Sequence, residues 1–145
     1  MPKVLVVDDE PDMRWFLSGI LEAAGLEVVT AEDGAIALER VRQDAPSAIL
    51  LDLKMPNLGG METIAEIKAI DPRVPIIILT AYGEISAAVS AMRLGAYDYI
   101  TKPFQNDDVT LTIRRALEQQ GLLAEVEALR DLLATSGSLR ELMGP

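Results

Sequence analysis

Short runs of apolar residues alternate along this chain with longer stretches in which apolar residues return every three or four positions. Lys3 to Val7 is such a run. It predicts a strand buried on both faces, and Asp8-Asp9-Glu10 follows it directly. Pro11 suits the first turn of a helix, where a missing N–H costs nothing. Met13, Phe16, Leu17, Ile20, Leu21 and Ala24 then recur at helical spacing until Gly25 stops them. Leu26 to Ala31 predicts a second strand. Asp33 caps a second helix that turns Leu38 and Val41 inward and ends before Pro46. Ser47 to Asp52 is the third strand, and Met61, Ile64 and Ile67 mark the third helix. Pro75 to Thr80 is a fourth strand that, like the first, closes on a polar residue. Ile85, Ala88, Val89 and Met92 follow the i, i+3, i+4, i+7 spacing of an amphipathic helix. Tyr97 to Thr101 is the fifth strand, and the last helix starts near Asn106 to Asp108 and buries Val109, Ile113, Ala116 and Leu117.

Strand and helix alternate five times with no hairpin signal between strands, which implies an α/β protein whose parallel sheet is covered by helices on both faces. Right-handed crossovers leave few topologies. At this size the expected one is a flavodoxin-like (βα)5 doubly wound sheet with strand order 2-1-3-4-5. That order sets strands one and three side by side, so Asp8, Asp9 and Asp52 converge. Thr80 ends the fourth strand and Lys102 follows the fifth, on the same carboxyl edge where open α/β sheets bind ligands. Each residue alone has a plainer reading. Asp52 can cap a turn, Asp8-Asp9-Glu10 can be an acidic helix start, Thr80 an ordinary strand residue and Lys102 a solvated loop lysine. Their coincidence on four strand ends favours a joint role.

Composition narrows what that role can be. At 145 residues, half of them hydrophobic, the chain has material for one cored domain and a short appendage. A formal net charge of -10 makes the segment a poor binder of nucleic acid on its own. There is no cysteine, hence no disulfide framework and no thiolate chemistry. There is no histidine either, which removes Ser/His/Asp and Cys/His nucleophile systems and the commonest transition-metal ligand. The N-terminus lacks the apolar core of a signal peptide, and no apolar run approaches the roughly 20 residues of a membrane helix, so a cytoplasmic location and no membrane contact are expected.

The chemistry must therefore use carboxylates, hydroxyls, lysine or a hard metal ion. Three gathered carboxylates repel one another unless a cation neutralises them, and an oxygen-only donor set selects an ion such as Mg²⁺. Lys102 adds a fixed positive charge and Thr80 a hydroxyl donor. This is equipment for moving a phosphoryl group, with Asp52 as the candidate nucleophile and the acidic pair left for the metal. Two rival classes remain beside a phosphorylation switch. A haloacid-dehalogenase-like phosphatase would carry Asp-x-Asp after its first strand, whereas Asp52-Leu53-Lys54 has no second acid. A flavodoxin-like or unphosphorylated interaction module would not need Asp8, Asp9, Thr80 and Lys102 together. A P-loop nucleotide binder is excluded, because GxxxxGK[ST] does not occur.

Val-Val-Asp8-Asp9-Glu10, Leu-Leu-Asp52-Leu-Lys-Met-Pro56, Ile-Leu-Thr80-Ala81 and Tyr99-Ile-Thr-Lys102-Pro103-Phe104 together resemble the receiver domain of two-component response regulators, over residues 1 to 118. The resemblance implies a switch that catalyses only its own phosphorylation and dephosphorylation. Asp52 would accept a phosphoryl group from a histidine kinase or a small phosphodonor. Asp8, Asp9 and Asp52 would bind Mg²⁺ with the Lys54 carbonyl. Thr80, Lys102 and the Ala81 backbone N–H would contact the phosphoryl oxygens. It also implies a cis Lys102-Pro103 bond, a Thr80 and Tyr99 that move together to remodel the face from helix four to helix five, and a tuning role for Lys54 and Tyr82.

Past Leu117 the pattern continues. Leu122, Val126, Leu129 and Leu133 are four, three and four apart, the spacing of a coiled-coil seam, with Glu125 and Arg130 at flanking positions. The expectation is a helical linker over 119 to 135 and a homodimer formed through it and helix five; an extension packed on its own domain is the alternative. Residues 136 to 145 form a tail resembling the lead-in to the ATPase domain of NtrC-like, sigma-54-dependent transcriptional activators. Lys54-Met55-Pro56 and Thr80-Ala81-Tyr82-Gly83 resemble that group too. On that reading the ATPase and DNA-binding output domains are absent from this chain.

Overall fold

Residues 4–7, 48–51 and 76–79 are apolar at every position and need two layers to cover them; with the more mixed stretches Glu27–Ala31 and Asp98–Lys102 at the edges, they form five parallel strands with helices on both faces of the sheet. The computed structural model describes residues 2–53, 60–81 and 84–135. The order is β1 (Lys3–Val7), α1 (Pro11–Ala23), β2 (Glu27–Ala31), α2 (Gly34–Asp44), β3 (Ala48–Asp52), α3 (Gly60–Ile70), β4 (Ile76–Ala81), α4 (Ile85–Arg93), β5 (Asp98–Lys102) and α5 (Asn106–Thr135). The sheet runs β2-β1-β3-β4-β5, the flavodoxin-like order expected.

Strand alternation divides the core in two. Leu5, Val7, Ile49, Leu51, Ile76 and Ile78 face Ala37 and Val41 of α2, Ile64 and Ile67 of α3, and Ala91 of α4. Val4, Val6, Leu50, Ile77, Leu79 and Ile100 face Leu17 and Leu21 of α1 and Val109, Ile113 and Ala116 of α5. Asp33 caps α2 as expected, its carboxylate accepting the Ile36 N–H at 2.9 Å.

Helix four differs from its pattern. Ala88 and Ala91 are its buried residues, while Ile85 is 63% exposed and Val89 and Met92 are also open. The small alanines let α4 lie close to the sheet, and the larger apolar residues are left on its outer side. Helix five runs unbroken for 30 residues, about 45 Å at 1.5 Å per residue. Its first turns pack on the sheet through Val109, Ile113 and Ala116, and Leu117 is partly buried.

Candidate functional site

Register brings the polar strand ends together. Val7 lies opposite Leu51 and Asp52 opposite Leu79, so Asp8 and Asp52 emerge from adjacent strands at one edge of the sheet. Alternation puts both on the side of Val6 and Leu50, facing α1 and α5, and Lys102 continues the same side from Ile100. One carboxylate oxygen from each of Asp8, Asp9 and Asp52 lies within 4.8 Å of the other two. Lys102 Nζ stands 3.6 Å from Asp52 Oδ2 and 3.9 Å from Asp8 Oδ2, so one ammonium serves two carboxylates. The Lys102-Pro103 bond is cis, and Phe104 beyond it packs on Phe16 of α1 with ring centroids 6.4 Å apart.

Asp8 is held on three sides. Its N–H donates to the Ala31 carbonyl on β2 at 3.2 Å, its Oδ1 accepts the Glu10 N–H at 2.9 Å, and its carbonyl accepts from Arg14 Nη1 at 2.7 Å. Only Oδ2 is left. That atom is buried and makes no hydrogen bond among the described residues. Burial pushes the Asp8 carboxyl up from 3.8 to about 6; the Glu10 N–H opposes the shift, Asp52 adds to it, Lys102 opposes it and Asp9 adds a little more. A buried carboxylate oxygen without a hydrogen-bond donor, beside two further carboxylates, fits a divalent cation with oxygen ligands. Asp9 is exposed and Asp52 is 7% exposed, so such an ion would be reached from solvent.

Thr80 is 3% exposed and pairs with Thr101 on β5, but alternation puts its side chain on the face of Ile78 rather than that of Asp52. Its hydroxyl also makes no hydrogen bond among the described residues. Tyr99 shares that face, opposite Ile78, and is partly open to solvent. The structure therefore gathers Asp8, Asp9, Asp52 and Lys102 and sets Thr80 and Tyr99 beside them on the other side of the sheet. Ala81 ends β4 next to Lys102. Lys54 and Tyr82 lie outside the described residues, as does the tail from 136 to 145. Arg14 was missed by the sequence reading; its one signal is an arginine a single turn past Pro11, on a helix that starts at the acidic pair.

A model of the response regulator receiver domain matches residues 4–114, from the first strand into helix five. The chain belongs to that family. It is a receiver of the NtrC-like kind, a signalling domain of two-component systems. Regulatory protein AtoC of Escherichia coli (strain K12) is 37% identical over 134 residues, which cover 92% of this chain and 29% of AtoC. The crystal structure of the receiver domain of NtrX from Brucella abortus superposes with a TM-score of 0.77 at 43% identity, covering 79% of this chain and 98% of that one. A longer NtrX chain from Brucella abortus, in complex with ADP, matches with a TM-score of 0.86 at 41% identity over 99% of this receiver and 33% of its own length. This chain thus spans about a third of the longer proteins it matches. Among its described residues no helix is long and apolar enough to cross a membrane.

Proposed function

We propose that this receiver takes a phosphoryl group onto Asp52, from the phosphohistidine of a histidine kinase or from a small phosphodonor, in a reaction that requires Mg²⁺. The observation that carries the reading is Lys102 Nζ within 4 Å of both Asp8 and Asp52, with the three carboxylates converging beside it. An Asp52 oxygen attacks phosphorus in line. The P–N bond of the donor breaks, and its electron pair returns to the imidazole nitrogen. Lys102 is already at the nucleophile and balances charge on the incoming phosphoryl oxygens. Asp8, Asp9 and Asp52 would hold the metal, and the Lys54 carbonyl, outside the described residues, would be a further ligand. Mg²⁺, when bound, neutralises the carboxylates and the phosphoryl oxygens.

The phosphorylated state is read through Thr80 and Tyr99. The buried Thr80 hydroxyl makes no hydrogen bond among the described residues; turned from its own face toward the strand ends, it would find an acceptor in a phosphoryl oxygen on Asp52, alongside the Ala81 N–H. Tyr99 shares its face, opposite Ile78, and is 40% exposed. The added charge biases this face by binding one arrangement better than the other. The output lies beyond α5. Residues 1–118 act as the receiver and 119–135 as a helical linker, with 136–145 leading toward an ATPase and DNA-binding region of a sigma-54-dependent transcriptional activator in the cytoplasm. The receiver-family match over residues 4–114 supports the receiver's share of that division. Leu122 and Leu129 are 62% and 59% exposed and Val126 is open, while Leu133 is half-buried, so the seam is available to a second copy.

Incubation with acetyl phosphate or beryllofluoride and Mg²⁺ tests this. A labile adduct should form on Asp52 and be abolished by Asp52→Asn and by chelator. Phosphoester turnover without label would replace the reading with a phosphatase of the haloacid-dehalogenase kind. Mg²⁺ binding without an adduct would leave an unphosphorylated interaction module.

A further inference from the structure

Asp8 reaches the site through a loop, and a loop residue needs its backbone fixed before its side chain can be aimed. Two of its anchors come from adjacent backbone: the Ala31 carbonyl on β2 and the Glu10 N–H. The third is a side chain from further along. Pro11 starts α1, and the Arg14 N–H donates to the Glu10 carbonyl at 3.1 Å, completing the first helical turn. That turn swings the half-buried guanidinium back over the loop, where Nη1 meets the Asp8 carbonyl at 2.7 Å. Such a charge-assisted bond is short and stronger than a neutral one. On its other side Arg14 borders a recess of about 200 Å³ with Thr30, Glu32, Ile36 and Arg40, between the end of β2 and α2. The helix, the loop and β2 are thus tied at Asp8.

We propose that Arg14 is a positioning residue for the metal site: by holding the Asp8 carbonyl it keeps the β1–α1 loop in the one arrangement that leaves Asp8 Oδ2 facing Asp9, Asp52 and Lys102. Arg14 touches neither metal nor phosphoryl group and acts only through Asp8. The inference rests on the Mg²⁺-dependent phosphotransfer reading and adds a residue that decides how tightly this chain's carboxylates take the ion. Partners that orient metal ligands typically matter about tenfold or more in affinity. Arginine suits the task because its donors are set in a rigid fork, and lysine can still donate to a lone carbonyl, though less rigidly.

The test is an amide NMR titration of the whole chain with MgCl₂, together with metal-free hydrogen exchange, on wild type, Arg14→Ala and Arg14→Lys. Arg14→Ala should weaken Mg²⁺ binding about tenfold. It should also speed exchange of the Glu10 N–H, whose acceptor is the Asp8 carboxylate, while amides in β3 and β4 keep wild-type protection. Arg14→Lys should recover most of the affinity. A wild type that binds Mg²⁺ and an Arg14→Ala curve superimposed on it would overturn this inference alone. Loss of protection across the whole sheet in Arg14→Ala, with no recovery in Arg14→Lys, would make Arg14 merely structural and overturn it as well. A wild type that binds no Mg²⁺ would overturn the phosphotransfer reading and this inference with it.

Discussion

Asp8 is where the site meets stability. Its carboxyl is pushed up to about 6 in the fold against 3.8 when free, chiefly because burial removes water from the charged form. The folded chain therefore holds this proton more tightly than the unfolded one. The stabilisation it brings is complete below 3.8 and is lost as pH rises through 6, about 3 kcal/mol in all. Without metal, Asp8→Asn should escape that loss. In urea unfolding with EDTA, the variant's stability relative to wild type should improve by about 2 kcal/mol between pH 4.5 and 7.5. Millimolar Mg²⁺ at pH 7.5 should then raise the wild type and leave the variant nearly unmoved. Equal pH dependence in the two proteins would mean that Asp8 is not the buried acid. That Asp8, Asp9, Asp52 and Lys102 would meet was legible in the sequence, because parallel strands end on a common edge. The clamp by Arg14 was not, because an arginine that donates to a backbone carbonyl needs no particular residue type at its acceptor and so leaves no pattern.

The strands were legible to within a residue at each end, because continuous apolar runs mark the three central ones and Gly, Asp and Pro turn residues bound the two edge ones. The third strand was expected from Ser47 and begins at Ala48; the fifth was expected from Tyr97 and begins at Asp98. Helix four was harder for a physical reason. Periodicity reveals which side of a helix is apolar, whereas burial depends on how closely the helix can approach the sheet, and there Ala88 and Ala91 win over Ile85 and Val89. Close approach also explains Gly60, whose importance no local pattern announces. A Cβ at this start of α3 would lie 2.7 Å from Leu53 Cα and 2.8 Å from its carbonyl oxygen, backbone atoms that cannot turn aside. Leu53 directly follows Asp52. Gly60→Ala should therefore cost about 1–3 kcal/mol in chemical denaturation, and slow the labelling of Asp52 by acetyl phosphate beyond what the stability loss explains. A variant with wild-type stability and labelling would mean that α3 can shift without disturbing the acceptor strand.

At the scale of the whole molecule the open question is what covers the far half of α5. A helix of 30 residues packed on the sheet through its first turns presents Leu122, Val126 and Leu129 to water, and helical stability in proteins comes mostly from packing an apolar face rather than from propensity. A second copy can supply that packing through the seam, but each chain brings a net charge of -10 to the encounter. Like charge of that size opposes association at long range, and salt screens it with a Debye length of about 10 Å at 0.1 M. Cross-chain Glu125 and Arg130 pairs would be weakened by the same salt, yet exposed pairs contribute only about 0.2–1 kcal/mol. The apolar seam and the net repulsion should therefore dominate, and the dimer should tighten as NaCl rises from 50 to 500 mM. In light scattering at fixed micromolar concentration, the dimer fraction should increase with salt for the full chain. It should fall at least tenfold in association constant for Leu129→Glu, which puts a charge into the seam while leaving the receiver intact, and for a chain ending at Leu117. A dimer undiminished by ending at Leu117 would assign association to the receiver's own faces. One that dissociates as salt rises would assign it to charge pairs, and the apolar side of α5 would then be left for a partner other than a second copy.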